Sequence, residues 1–173
     1  MMASGLTLLF ALVMVVAMAW DAATLTIPDM LSLTLVAGFI VGAVARSAGW
    51  EAMLGHAGAG VALFVIGAGL FHLGVWGGGD VKFSAAMGLW FGWGGLPAWL
   101  FMVALAGGVL AIGILVLRHG VAAPAPWWPG WLCRLHRHDE GIPYGIALGF
   151  GGLLTLDRAT AFLVSTGAGA GAV

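Results

Sequence analysis

Three aspartates in this 173-residue chain stand where an acid needs a reason: Asp21, Asp29 and Asp80. Asp21 directly follows an uncharged run over 1–20, Asp29 follows Pro28, and Asp80 closes Gly77-Gly78-Gly79. Two carboxylates brought face to face cannot both ionise easily, so such a pair shares a proton. The ionised member takes a proton from water as that water attacks a peptide carbonyl. The protonated member donates to the carbonyl oxygen or the leaving amine. Hydrolysis by this route requires no metal, no cofactor, and no serine or cysteine nucleophile.

Each acid also has a plainer explanation. Asp29 and Asp80 each precede an apolar run and are well placed as helix N-caps. Asp21 has the weaker structural excuse, because it falls at a helix C-terminus, where the helix dipole disfavours negative charge. Competing chemistries find little support. The G-x-x-x-x-G-K-[ST] phosphate loop is absent. Cys133 is the single cysteine, which excludes a disulfide framework and a multi-cysteine zinc site. His56 and His72 lack a ligand partner, and His119, His136 and His138 sit in a charged loop. His136-x-His138 beside Asp139 and Glu140 reads as a solvated loop rather than a metal site.

The elements that must position these acids are written in the charge distribution. The chain is 62% hydrophobic and 8% charged, with six Lys/Arg and seven Asp/Glu. A soluble domain would be about a quarter charged, so an ordinary cytosolic globule is excluded. Disorder demands the opposite composition. A net charge of −1 gives no basis for nucleic-acid binding. An integral membrane protein remains. Uncharged runs over 1–20, 30–45, 52–79, 83–117 and 141–156 suit bilayer-spanning helices, which need about 17–25 residues. No segment shows the alternating polarity of a barrel strand. The longest run splits at Trp93-Gly94-Gly95-Leu96-Pro97. The expectation is an all-α polytopic protein of about six helices, near 4–20, 29–46, 57–76, 81–93, 97–117 and 142–164. The thirty glycines fit close helix packing, with Gly58, Gly60, Gly67, Gly69, Gly107 and Gly108 at suitable spacings. The first run lacks the basic n-region of a secretory signal peptide.

Six helices place the junctions near 21–29, 77–82 and 118–141 on one side. That side collects Lys82, Arg118, Arg134 and Arg137, so it is read as cytoplasmic, against Arg46 and Arg158. The chain reads as one membrane domain over 1–173, with 118–141 as a cytoplasmic loop. Pro124, Pro126 and Pro129 alternate there with Trp127, Trp128 and Trp131, which suits a segment resting at the lipid interface.

Three motifs at these same-side junctions resemble one known family. Gly77-Gly78-Gly79-Asp80-Val81-Lys82 matches G-x-G-D-x-K of the prepilin peptidases, the type IV leader peptidase family of membrane aspartic proteases. Asp21 followed by Ile27-Pro28-Asp29 resembles that family's first motif, and Pro143-Tyr144-Gly145 resembles its Pro-Tyr-Gly. The resemblance implies a peptidase of the bacterial inner membrane with two catalytic aspartates at the cytoplasmic face, carried over onto Asp21 and Asp80. It implies supporting roles for Gly77, Gly79, Lys82, Pro28, Asp29, Pro143, Tyr144 and Gly145. Gly77 and Gly79 would let substrate backbone come close, and Lys82 would bias the acid pair or anchor its loop, unless it only snorkels to the interface. The implied partners are the lipid bilayer and a prepilin-like substrate, with a short basic leader before an apolar helix. No cofactor or metal is implied.

Two departures stand out. Ala22-Ala23-Thr24-Leu25-Thr26 replaces the basic residues often found there. The paired Cys-x-x-Cys insert of bifunctional members is missing, so the chain resembles the short, peptidase-only Flp/Tad-pilus type, without methyltransferase activity. Three rival readings stand beside this one. A presenilin-type protease would carry its acids inside adjacent hydrophobic helices. A small proton-coupled transporter or channel would place acids mid-helix within an internal repeat. A non-catalytic pilus-assembly subunit would look the same in sequence. The sequence leaves the oligomeric state open, a homo-oligomer included.

Overall fold

The computed structural model describes residues 2–120, 127–137 and 141–164. Eight helices are described: α1 (Met2–Thr24), α2 (Asp29–Ala45), α3 (Trp50–His72), α4 (Gly78–Gly120), α5 (Gly130–His136), α6 (Tyr144–Leu154), α7 (Leu156–Ala159) and α8 (Ala161–Val164). Helices α1, α3 and α4 are long and apolar enough to cross a membrane, and α2 and α6 are apolar but shorter. The protein is therefore an all-α polytopic membrane protein, as its composition requires. A lipid environment leaves no water for backbone groups, so each crossing segment satisfies its own hydrogen bonds as a helix.

Helix α4 is two arms joined at Gly92, whose φ of 53° and ψ of −174° are not helical. The expected break lay a few residues later, over Trp93–Pro97. That stretch is helical, with Pro97 near the start of the second arm. Only glycine enters the Gly92 conformation cheaply. A Cβ there would also lie 2.9 Å from the His56 ring. His56 serves the break directly, since its Nδ1 lies 2.6 Å from the Leu89 carbonyl. The second arm runs back along α6, with Gly95 beside Arg158, Gly151 beside Val103 and Gly107 beside Tyr144.

The core sits where α1, the first arm of α4 and α6 meet. Phe10, Met14, Phe83, Met87, Trp90, Trp99 and Leu148 are buried there. Trp90 and Trp99 donate their indole N–H groups to the carbonyls of Leu35 and Leu148, at 2.9 and 3.3 Å. Membrane packing of small residues is visible at Gly60, whose backbone approaches so closely that a Cβ on Gly88 would lie 2.7 Å from it. Gly67 is similarly tight against Val81. A Cβ on Gly69 or Gly108 would instead meet nothing within 4 Å among the described residues.

The sixth expected helix, over 142–164, is interrupted at Thr155, which leaves α6 followed by the short α7 and α8. The third begins earlier than expected, at Trp50, and ends at His72. Of the Trp-rich loop, Trp127 and Trp131 are exposed. Pro124, Pro126, His138, Asp139 and Glu140 lie outside the described residues.

Candidate active site

Asp21 is the last member of a buried stripe on α1, after Leu6, Phe10, Val13, Met14 and Ala17. Spacings of three and four residues keep these on one helix face, so Asp21 is aimed inward at the same angle as the core. It is 3% exposed. Helix α1 ends shortly after, where Leu25 adopts a φ of 56°.

The carboxylate of Asp21 meets the start of α6. The Gly145 N–H donates to its Oδ2 at 2.7 Å, and the Ile146 amide acts on the same group. The N-cap of α6 is Pro143, which makes no side-chain cap bond. Asp21 supplies that cap from another helix, at the positive end of the α6 dipole. The weak structural excuse expected for Asp21 is thereby corrected: it opposes its own helix dipole and completes a neighbour's. Gly145 is the residue that permits this approach, since a Cβ there would lie 2.8 Å from Asp21 Cβ, Cγ and Oδ2. Pro143 is fully buried, and the Tyr144 ring rests over Gly107.

Asp80 sits in the first turn of α4 rather than before it. Its Oδ2 accepts the Gly77 N–H at 3.2 Å, while the Gly77 carbonyl accepts the Val81 N–H. Gly77 is thus the cap residue and Asp80 the third helical residue reaching back, the reciprocal half of a capping box. Asp80 and Asp21 come from different helices, whose start and end meet at the same end of the bundle.

Two loops bring this about. A Cβ on Gly79 would lie 2.7 Å from the Ile27 carbonyl oxygen, so Gly79 seats the glycine loop on the Ile27-Pro28 turn. The close approach expected of Gly79 is made by the protein's own backbone. Pro28 is the N-cap of α2, and Asp29 is the first helical residue, not the cap. The Asp29 carboxylate instead receives Lys82 Nζ at 2.7 and 2.8 Å, joining the starts of α2 and α4. Lys82 therefore anchors the loop. A cleft of about 260 Å³ opens between the two motifs, lined by Leu25–Ile27, Asp29 and Gly77–Asp80. Arg134 of α5 donates to the Ala23 carbonyl at the end of α1, and sequence reasoning missed this contact. Three arginines in the 118–141 segment gave no sign of which would reach α1. Among the described residues no cluster of three or more His, Cys, Asp or Glu could hold a metal.

Fold and site together define a polytopic helical membrane protein with two aspartates at one end of its bundle. The pattern of the type IV leader peptidase family matches residues 8–112, which is more than half of the chain, and the chain belongs to that family. It is similar to the prepilin leader peptidase/N-methyltransferase of Aeromonas salmonicida (strain A449), 40% identical over 63 residues, covering 33% of this chain and 22% of that protein. The corresponding protein of Burkholderia pseudomallei (strain 1026b) is 34% identical over 89 residues, 51% of this chain and 24% of its own length. The chain thus spans about a quarter or less of these relatives. No solved structure matches it.

Proposed function

We propose that this protein is a membrane aspartic endopeptidase that removes the leader from prepilin-like substrates. The observation that supports the reading is that the end of α1 and the start of α4 are seated together through Gly79 and Ile27, with Asp21 and Asp80 on the two helices and the Oδ2 of each held by a backbone amide. The ionised acid accepts a proton from water as that water attacks the scissile carbonyl. The protonated acid donates to the carbonyl oxygen, takes that proton back as the tetrahedral intermediate collapses and passes it to the leaving amine, so the pair ends with its single proton on the acid that deprotonated the water. Substrate enters the cleft between the Ile27-Pro28 turn and the glycine loop, where Asp80 forms part of the wall. The site lies at the cytoplasmic boundary of the inner membrane, on the side that collects Lys82, Arg118, Arg134 and Arg137.

The test is co-expression with a prepilin-like substrate. Asp21→Asn and Asp80→Asn are each expected to abolish leader cleavage while the protein still inserts. Asparagine retains an acceptor for the Gly145 or Gly77 amide, so the loss reads chemistry rather than capping. Normal cleavage by Asp80→Asn would refute the mechanism.

A further inference from the structure

A second cavity adjoins the cleft. It has a volume of about 500 Å³ and lies between α2, α3 and the first arm of α4. Each helix contributes a stretch of the same length: Asp29 to Val36, Ala57 to Phe64, and Lys82 to Leu89. Seven residues of helix rise about 10 Å, or two turns. The groove therefore runs roughly parallel to the helices, from the level of the acids about 10 Å toward the bundle's other end.

Its two ends differ chemically. Asp29 and Lys82 form the rim nearest the acids, and Asp29 also lines the cleft beside Asp80. Below the rim the walls are apolar. Leu33, Val61 and Phe64 are 59%, 61% and 49% exposed, so no described element covers them. Ala57 and Ala85 keep the floor shallow enough for another backbone to come close. Ser32 is the polar exception, and its buried hydroxyl has no hydrogen-bond partner among the described residues.

We infer that this groove holds the apolar segment of the substrate chain next to the scissile bond, a reading that rests on the proposed peptidase activity. Continuity through Asp29 selects this occupant. A chain whose bond lies in the cleft has its next residues delivered over the Asp29–Lys82 rim and into the groove. Two turns of apolar wall match a helix that anchors through side chains at spacings of three, four and seven. Lipid, the other apolar material at hand, reaches these walls from the side and has no connection to the cleft, whereas a substrate chain is continuous from one to the other.

The experiment uses the full chain in detergent or nanodiscs and two substrates: a full-length prepilin-like protein, and a soluble peptide spanning only the leader and the bond. Ala57→Phe fills the groove from α3, away from both acids. Cleavage of the long substrate is expected to fall about tenfold in kcat/KM, the scale of one lost apolar anchor, with the short peptide unaffected. Equal rates on both substrates would overturn the inference. A second measurement covers a variant that fails to fold. A photocrosslinking residue at Val61, in an Asp80→Asn background, is expected to capture the substrate's apolar segment. Crosslinks to lipid alone would overturn the groove assignment. Absence of cleavage of either substrate by the unaltered protein would instead count against the peptidase reading itself.

Discussion

Replacing Gly145 by alanine tests the geometry of the acid pair without touching either acid. The new Cβ would stand 2.8 Å from Asp21 Cβ, Cγ and Oδ2. Ordinary carbon contacts lie at about 3.5–4.0 Å, so Asp21 or the start of α6 must move by about 1 Å. Asp21 is 3% exposed, with little room to give. A displacement of about 1 Å at reacting groups costs on the order of 100-fold in rate. Stability responds differently. Alanine stabilises a helix interior by about 1 kcal/mol over glycine. Weakening the amide-to-carboxylate bond costs about 1.5–3 kcal/mol. The net loss is then about 0.5–2 kcal/mol, small enough for the protein to remain folded. The assay is cleavage of a prepilin-like substrate by purified protein, alongside a thermal melt in the same detergent. Gly108→Ala is the control, since a Cβ there meets nothing within 4 Å. A Gly145→Ala protein with wild-type kcat/KM would refute the argument that the α6 start positions Asp21 for chemistry.

Two further outcomes follow from the same geometry. Asp29→Asn breaks a pair whose side chains are 60% and 51% exposed, so stability should fall by at most about 1 kcal/mol, with most cleavage activity retained in the co-expression assay. A large loss would mean that Asp29 does more than hold Lys82. Gly92→Ala forces a side chain into a conformation that costs about 1–3 kcal/mol, and presses it against His56 at 2.9 Å. A clear drop in melting temperature is expected, and an unchanged melt would show that the α4 break tolerates a Cβ.

Much of the site was legible before any coordinates. Scarcity of charge exposed the three acids, and the motif order placed them at junctions that share one end of the bundle. Their detailed roles were less legible. Asp29 read as an N-cap, yet Pro28 caps α2 and Asp29 binds Lys82, fifty-three residues away. Gly79 read as a place for substrate, yet it receives Ile27. Local spacing identifies residues that want a partner, but the partner here is in each case far along the chain.

The sequence by itself determined the membrane class, the helical architecture and the set of chemically exceptional residues. These follow from composition and run length, which the bilayer converts directly into structure. Tertiary structure alone decided which face of each helix turns inward. A soluble helix announces that face by its polar opposite side. Helix α1 is apolar all round, because lipid-facing and core-facing positions ask for the same side chains. Its inward stripe from Leu6 to Asp21 therefore emerges only when α2 and α6 pack against it. The capping of α6 by an acid 124 residues earlier is a consequence of that packing, and no local pattern encodes it.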